Sequence, residues 1–452
     1  MANERGNFGT KIGIILATAG SAVGLGNVWR FPFMTGQNGG AAFIILYIGC
    51  ILLLGIPGMV SEFVIGRHAQ SNAYRAYGKI SGKKAWRLVG ILGILTSTVI
   101  LGFYAVVAGW CLQYLFASVG GQLRGDATYV TQYFQTFSTD ALKPCLWGIA
   151  FVLITHLVVA RGVQRGIERA SKVLMPLLLV LLVVIVVASC LLPGAVDGIR
   201  FLLLPDFSKV THSVLLEALG QAFFSLSLGT ACLCTYASYF SRDTNLLRSA
   251  MQIALLDTMI AILAGLMIFP AAFSVGVNAD SGPSLIFITL PNVFNQAFSG
   301  MPVLAFIISL LFYGLLSLAA LTSLISLHEV STAFFSEELH ISRSHGAWIV
   351  TGSCIVIGAF CSLSLGHVDM LQFYGKSLFD WFDFITGQIM LPVGGFFTSL
   401  FVGWYIPKRI VHDQFTNWGT LRGTFFGVFL FCVRYVCPIC ILLIFLHQLG
   451  AI

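Results

Sequence analysis

The first apolar segment of the chain is interrupted by residues that disfavour a helix. Residues 12–19 and 41–60 are apolar, but residues 20–32 between them read GSAVGLGNVWRFP and include three glycines, an asparagine, an arginine and a proline. Each glycine costs a helix about 1 kcal/mol relative to alanine. Lipid offers free backbone groups no hydrogen-bond partner, so non-helical chain at membrane depth has to line a cavity enclosed by protein. The segment therefore predicts an interrupted membrane helix whose freed carbonyls and amides face a ligand.

The composition of the whole chain predicts a polytopic membrane protein. Of the 452 residues, 57% are apolar and only 10% are charged, and the mean hydropathy is +0.90. The segment 281–298 predicts a re-entrant or capping hairpin helix. No stretch indicates a separate soluble domain, so we expect residues 1–452 to form one transmembrane domain. Crossing the hydrocarbon core takes roughly 20 apolar residues, and eleven such windows lie near 11–35, 40–66, 87–118, 145–160, 170–192, 213–240, 247–275, 300–335, 346–364, 379–405 and 423–447.

The basic residues predict the orientation of these spans. With the N-terminus inside, the inner segments hold 18 Lys and Arg residues, and the outer segments hold five, which are Arg124, Lys143, Arg200, Lys209 and Lys376. Cytoplasmic loops of membrane proteins carry such an excess. We therefore expect a multi-pass protein of the cell membrane with a cytoplasmic N-terminus and an outer C-terminus. The basic residues follow the loops of one side instead of forming one patch, so nucleic-acid binding is not expected.

The predicted sixth span carries a second interruption. Residues 220–230 read GQAFFSLSLGT, in which the serines and Gly229 are weak helix formers. Small residues are also common where membrane helices contact each other, so this segment alone leaves both interpretations open. Interrupted segments at corresponding places of two halves indicate an inverted-repeat transporter. We expect repeats over about 8–192 and 213–405, with an extra helix over about 423–447.

Three polar residues inside the predicted spans have a functional and a structural interpretation. Glu62 either holds exposed amides of the broken first helix or lies at the inner interface. We favour the first, because a carboxylate inside a membrane is costly without a specific partner. Asp257 in the seventh span is interpreted as functional for the same reason. Thr322 in the eighth span could instead bond to its own helix.

The interrupted segments resemble those of the neurotransmitter:sodium symporters, and most closely their prokaryotic, leucine-transporter-like members. The resemblance extends along essentially the whole chain and is most specific at residues 20–32, 221–229, 236–239 and 319–323. It implies an all-α polytopic membrane protein of eleven transmembrane helices arranged as a five-plus-five inverted repeat. Helices 1 and 6 would be discontinuous around a site near the middle of the membrane.

The resemblance also implies two sodium sites. A hard cation prefers oxygen ligands, and unwound helix supplies carbonyl oxygens without adding formal charge. The first site would use the carboxylate of bound substrate together with Ala22, Asn27, Ser225 and Asp257. The second site would use the carbonyls of Gly20, Val23 and Ala319 and the hydroxyls of Thr322 and Ser323.

The substrate implied by the resemblance is an amino acid, which we expect to be neutral or hydrophobic. Monoamine carriers of the family have an aspartate where this chain has Gly24, and glycine leaves room for a substrate carboxylate. That carboxylate would meet the amides of Leu25 and Gly26 and the Tyr104 hydroxyl. The amino group would meet Ala22, Phe224 and Ser225, with Ser227 as a further candidate, and the side-chain pocket would be lined by Ile100, Phe224, Thr230, Ser323 and Leu327.

Two gates are implied in the same way. The outer side would be closed by Arg30 and Asp383, and the inner side by Arg5 and Glu337 with support from Ser238 and Tyr239. Glu337 replaces the family's usual aspartate, which keeps the charge but lengthens the side chain. Phe8 stands where tryptophan is usual.

The chloride site of animal family members is only partly present. Tyr47, Gln221 and Ser225 match it, but Ala261 replaces its serine and Asp257 replaces the usual asparagine. A fixed carboxylate could supply the negative charge that chloride supplies elsewhere. We therefore expect transport that does not depend on chloride.

The sequence thus predicts a sodium-coupled amino-acid symporter that works by alternating access, and not an enzyme. Local unwinding between Gly166 and Pro176 would hydrate the second sodium ion. A non-transporting amino-acid sensor on the same fold is the first alternative, and a channel is the second. An intramembrane hydrolase comes last, since no nucleophile and base stand out. His328 and Glu329 begin like a zinc-protease helix, but Thr332 stands where the second histidine belongs.

Overall fold

The computed structural model describes residues 7–276, 285–366 and 368–451, and the described chain is almost entirely helical. The π-helical turn Leu285–Thr289 leads directly into the helix Leu290–Ala297, and strands β1 (Gln372–Phe373) and β2 (Lys376–Ser377) form a short antiparallel hairpin. In chain order the helices are α1 (Lys11–Ala22), α2 (Gly26–Gln37), α3 (Ala41–Ala69), α4 (Ala73–Ser81), α5 (Lys84–Val119), α6 (Ala127–Ser138), α7 (Lys143–Ala160), α8 (Val163–Cys190), α9 (Ala195–Leu203), α10 (His212–Ser225), α11 (Cys232–Ala237), α12 (Leu246–Ser274), α13 (Leu290–Ala297), α14 (Pro302–Glu338), α15 (Arg343–Leu363), α16 (Leu378–Tyr405), α17 (Lys408–Phe415) and α18 (Phe426–Gln448).

Most of the predicted spans are present as long apolar helices. Nine helices of the described chain are long and apolar enough to cross a membrane, namely α3, α5, α7, α8, α12, α14, α15, α16 and α18. Helices α1 and α2 meet the same test as a pair bent by 56°. Helices α10 and α11 occupy the predicted sixth span, but they do not meet this test of length and apolar character. The all-α polytopic architecture is confirmed, whereas the count of eleven spans stays a prediction. Of the predicted re-entrant segment, residues 281–284 lie outside the described residues.

The first interruption lies between α1 and α2. Thr10 caps the start of α1 by accepting a hydrogen bond from the Gly13 amide at 3.0 Å. Helix α1 ends at Ala22, the backbone of the next residue, Val23, is extended (φ −71°, ψ 109°), and the helix resumes with a π-helical turn over Gly26–Arg30. Pro32 follows this turn directly, in the α-helical part Phe31–Gln37, and has no amide hydrogen to donate to the carbonyls of the turn. The interruption predicted within residues 20–32 is confirmed.

The second interruption, residues 226–231, separates α10 from α11. Ser227 (φ 54°), Gly229 (φ 82°) and Ala231 (φ 60°) all have left-handed backbone, which costs residues with a Cβ atom about 1–2 kcal/mol each. Gly229 has no room for a side chain, because a Cβ atom there would lie 2.5 Å from the carbonyl oxygen of Leu391 in α16. The surrounding helices must therefore hold this segment in place.

Glu62 of α3 is one of the groups that hold the second interruption. Its carboxylate accepts hydrogen bonds from the amides of Gly229 (2.8 Å) and Cys234 (3.2 Å). On the opposite side, the Ser97 hydroxyl of α5 donates to the Thr230 carbonyl at 2.5 Å. The sequence favoured amides of the first broken helix as the partners of Glu62. The structure corrects that assignment, because both amides belong to the second broken helix.

Helices α5 and α14 lie side by side and both pack against α7 and α15, and α14 also packs against α8. Helix α1 begins at one end of the bundle and α2 leads to the other, and we name these ends after Phe8 and Arg30. At the Phe8 end, the Phe8 ring packs edge-on against the rings of Tyr236 and Tyr239, at centroid distances of 5.9 and 6.1 Å. Lys11 forms an ion pair with Asp243 at 3.3 Å.

Candidate substrate and ion sites

A cavity of about 350 Å³ lies between the two interruptions. It extends from Ser323 and Leu327 of α14 to Phe33 of α2 and Asp383 of α16. All eleven residues predicted to bind substrate line this one cavity: Ala22, Leu25, Gly26, Ile100, Tyr104, Phe224, Ser225, Ser227, Thr230, Ser323 and Leu327. The volume suits a single small molecule, since ligand pockets typically measure about 300–1,000 Å³.

The side chains of the predicted first sodium site meet beside the cavity. Asp257 of α12 accepts hydrogen bonds from the Asn27 amide (2.7 Å), the Ser225 hydroxyl (2.8 Å) and the Tyr47 hydroxyl (3.3 Å). Asn27 turns its amide oxygen to the Gly24 amide at 3.0 Å. Both Asn27 and Asp257 are fully buried. The result is a buried group of oxygen atoms that carries one formal negative charge, which suits a monovalent cation.

The five residues of the predicted second sodium site also come together. The Thr322 hydroxyl lies 3.3 Å from the Val23 carbonyl oxygen and 3.0 Å from that of Ala319, and the Ser323 hydroxyl lies 3.3 Å from the Val23 oxygen. Gly20 contacts Thr322, because a Cβ atom on Gly20 would lie 3.3 Å from the Thr322 Cβ. Each hydroxyl has only one hydrogen to donate, so most of the lone pairs in this group remain available to a hard cation.

Backbone groups exposed by the interruptions face the predicted substrate position. The Leu25 amide, at the start of α2, donates to the Tyr104 hydroxyl at 2.9 Å. The Ser227 hydroxyl donates to the Ser21 carbonyl at 2.9 Å and so joins the two interruptions directly. The Thr230 hydroxyl donates to the Ser227 carbonyl at 2.7 Å. Amides and a phenol near a helix N-terminus suit a carboxylate.

Comparison with known proteins identifies the family. The sequence pattern of the sodium:neurotransmitter symporter family matches residues 5–141 and 137–452, which together cover nearly all of the chain. The chain belongs to the sodium:neurotransmitter symporter family. This symporter is therefore a sodium-coupled transporter and not an enzyme, and sodium is its co-transported ion.

Individual relatives agree along the full length. An uncharacterized sodium-dependent transporter of Bacillus subtilis, YhdH, is 38% identical over 98% of this chain and 97% of its own length. An uncharacterized sodium-dependent transporter of Haemophilus influenzae is 32% identical over 99% of this chain and 98% of its own length. The crystal structure of MhsT in complex with L-phenylalanine superimposes with a TM-score of 0.88 at 40% identity, and covers 99% of this chain and 100% of that chain. The fold of this symporter is thus that of MhsT.

The two predicted outer-gate residues of the symporter both line the cavity. The Arg30 guanidinium lies over the Phe224 ring, with its central carbon 4.2 Å from the ring centroid. Asp383 lines the cavity at the same end. No ion pair within 4.0 Å joins Arg30 to Asp383 in the described chain. The cavity therefore extends past the predicted gate instead of ending beneath it.

The predicted inner gate is only partly described. Arg5 lies outside the described residues, so its pairing with Glu337 stays a prediction. Glu337 accepts hydrogen bonds from the backbone amide and the side-chain amide of Asn72, both at 2.9 Å. Tyr239 donates to Glu329 at 2.6 Å, and Glu329 forms an ion pair with Arg343.

Ser238 belongs to the same end of the symporter. It is fully buried, and its hydroxyl donates to the Thr235 carbonyl at 2.5 Å in the last turn of α11. Ser238 and Tyr239 thus continue directly from the helix that follows the second interruption. A movement of α11 would carry both residues with it.

Sequence reasoning missed several residues that line the cavity of the symporter. Trp29, Phe33 and Phe103 add aromatic surface, and Gln388 of α16 adds a polar group. The aromatic residues carry no signal by themselves, because such residues are common throughout this chain. Gln388, an amide inside an apolar span, is the one that the rarity of polar residues in membrane helices could have revealed.

Proposed function

We propose that this protein carries a neutral, apolar amino acid into the cell together with two sodium ions, by alternating access and without chloride. The observation that supports it best is the position of one cavity between two buried groups of oxygen atoms. Both groups use backbone or side chains of the interrupted helices. Substrate and ions would therefore bind to the same movable segments, as coupling requires.

The shape and chemistry of the cavity support an amino acid as the substrate. The Tyr104 hydroxyl can donate to a carboxylate, and a carboxylate that takes the place of this hydroxyl at the Leu25 amide gains a second donor, while carbonyls freed by the interruptions offer an amino group its acceptors. Ile100, Phe224 and Leu327 give the remaining volume an apolar lining. The bound L-phenylalanine of MhsT is a molecule of this class.

The hydrogen bonds of Asp257 support independence from chloride. Its carboxylate accepts from Tyr47 and Ser225, two of the residues that match the animal chloride site. The negative charge that those animal proteins obtain from chloride would be supplied here by a side chain. Replacing external chloride with gluconate should leave uptake unchanged, and a marked fall in uptake would refute this part of the proposal.

The proposed cycle assigns the Arg30 end to the outside and the Phe8 end to the cytoplasm, as the excess of basic residues in the predicted inner loops suggests. Substrate and two sodium ions enter from the Arg30 end, and closure of Arg30 and Asp383 over Phe224 occludes them. Loss of the second sodium ion then frees α1 from Thr322 and Ser323. The Phe8 end opens, and the amino acid leaves into the cell.

The decisive test is equilibrium binding of each of the twenty amino acids to purified protein, with Na⁺ or with K⁺ in its place. We expect saturable binding of apolar amino acids that requires Na⁺. Asp257→Ala and Thr322→Ala should weaken it by tenfold or more, the effect of losing an interaction of about 1.4 kcal/mol. Thr155→Ala is the matched control, because the Thr155 hydroxyl donates only to its own helix, at the Phe151 carbonyl (3.0 Å).

Binding that ignores Na⁺ would overturn the sodium-coupled proposal and favour the amino-acid sensor. Uptake into proteoliposomes separates the two further. A symporter accumulates labelled amino acid only while a sodium gradient is imposed, whereas a sensor binds the amino acid and accumulates none. Uptake that never saturates as the amino-acid concentration rises would instead favour a channel.

A further inference from the structure

Glu168, at the start of α8, holds the beginning of α1. Its buried carboxylate accepts hydrogen bonds from the Gly9 amide (2.6 Å) and the Thr10 hydroxyl (2.8 Å). It also pairs with Lys172 one turn further along α8, at 2.6 Å. We call the two hydrogen bonds to Gly9 and Thr10 the Glu168 contact. None of these groups belongs to the two predicted sodium sites or to the residues that line the substrate cavity.

The sequence of α1 is fitted to this contact. The Thr10 hydroxyl donates to Glu168 while it accepts from the Gly13 amide, so the carboxylate also fixes the cap of the helix. A carboxylate near a helix N-terminus is stabilised by the helix dipole. Gly13 allows the close approach, because a Cβ atom at that position would overlap the Glu168 carboxylate.

The same stretch of α8 also touches the other end of α1. A Cβ atom on Gly20 would lie 3.6 Å from the Met175 sulfur and 3.3 Å from the Thr322 Cβ. Met175 therefore packs beside the second group of oxygen atoms. Met175 lies seven positions after Glu168, which corresponds to about 10 Å along a helix. Both ends of α1 are thus held by one short segment of α8.

That segment is a weak part of its helix. It begins in a π-helical turn, Val163–Glu168, and such turns are less stable than α-helix and frequent at functional sites. Pro176 has no amide hydrogen, so the Lys172 carbonyl lacks its usual helical donor four residues ahead. Loosening between Gly166 and Pro176 would displace Glu168 and Met175 together.

We propose that Glu168 is a positioning residue that links the release of α1 to the loosening of α8. While α8 is intact, the Glu168 contact keeps α1 closed at the Phe8 end. When α8 loosens, Gly9 and Thr10 lose the carboxylate and Gly20 loses Met175, so α1 is released at both ends. This inference rests on the alternating access proposed above.

The test measures how fast a cysteine at position 14 reacts with a water-soluble maleimide, with and without Na⁺. Ile14 is buried in α1, one turn beyond Thr10. Labelling of the same protein without the Ile14→Cys change gives the background from the native cysteines. We expect Glu168→Gln to raise the labelling rate in Na⁺ roughly tenfold, because losing a hydrogen bond to a charged group shifts an equilibrium by about that factor.

Two further variants keep the test decisive. Gly13→Ala should raise labelling in the same way, because the new methyl group displaces the carboxylate while leaving Glu168 present. Asp413→Asn, which removes the charge of a partly exposed partner of Arg409 in α17, should leave the rate unchanged. Amino-acid binding at saturating Na⁺ should survive in Glu168→Gln, whereas a variant that is merely unfolded would lose it.

The outcomes separate this inference from the proposed function. If the Ile14→Cys protein is labelled at the same rate with and without the Glu168→Gln change, both in Na⁺ and in its absence, the role of Glu168 is overturned. If the labelling rate of the Ile14→Cys protein with native Glu168 does not depend on Na⁺, the proposed sodium coupling is overturned instead. In that case a faster rate in Glu168→Gln would still support the contact, and an equal rate would still refute it.

Discussion

Replacing Gly24 with alanine should weaken sodium binding through Ser323. A Cβ atom on Gly24 would lie 2.4 Å from the Ser323 hydroxyl oxygen, about 1 Å short of ordinary van der Waals contact, and 3.2 Å from the Tyr104 hydroxyl. The smallest adjustment is rotation of the Ser323 hydroxyl away from the Val23 carbonyl, which lies 3.3 Å from it. The second group of oxygen atoms would then lose one member.

The expected size of this effect follows from the contact. Overpacking by one methyl group costs about 1–3 kcal/mol, and each 1.4 kcal/mol changes an equilibrium constant tenfold. We therefore expect the Na⁺ concentration for half-maximal amino-acid binding to rise by roughly five- to 150-fold. Amino-acid binding at saturating Na⁺ should change much less. A Na⁺ titration of radioligand binding to the purified protein measures both quantities.

Gly387→Ala is the matched control, since Gly387 lines the same cavity but a Cβ atom there would meet nothing within 4 Å. The double variant Gly24→Ala, Ser323→Ala should bind Na⁺ no more weakly than Ser323→Ala alone, because both changes remove the same hydroxyl. An unchanged Na⁺ titration for Gly24→Ala would refute the reasoning. So would fully additive effects in the double variant.

Two other contacts give direct predictions. Tyr104→Phe removes the hydroxyl that is proposed to donate to the substrate carboxylate and that lies 2.9 Å from the Leu25 amide, so it should weaken amino-acid binding by about 1–3 kcal/mol. Equal affinity in both proteins would show that the phenol does not bind the substrate. Glu62→Gln puts an amide group where the carboxylate accepts from Gly229 and Cys234, and should lower the thermal unfolding midpoint in detergent. Glu217→Gln, which removes a partially exposed partner of His447, should lower it far less, and equal shifts would contradict the assignment.

The sequence predicted the two interruptions because their causes are local. Glycine and proline disfavour a helix wherever they stand, and lipid makes free backbone groups costly, so residues 20–32 indicate an interruption by themselves. Residues 220–230 left two interpretations open until they were matched with that first interruption. The oxygen-bearing residues around them could be assigned only by resemblance. The structure gathers those residues into two groups beside one cavity.

The partners of isolated charges could not be predicted, because they depend on how the helices pack. Glu62 needed a set of free amides, and the sequence offered two interruptions without saying which one faces α3. Glu168 resembled an ordinary charge among the basic residues at the start of a span. Its importance comes from Gly9 and Thr10, which lie more than 150 residues away in the chain.

The left-handed residues between α10 and α11 have a consequence for the synthesis of the protein. Ser227, Gly229 and Ala231 are held by Glu62 and by α5, which are made earlier, but the backbone of Gly229 also packs against Leu391, which is made 162 residues later. A nascent chain that has not yet delivered α16 to the membrane lacks that support. Most of the chain, up to Leu391, must therefore be synthesised before the binding pocket takes its final form. Chains that end before Leu391 would be inserted into the membrane without a formed pocket.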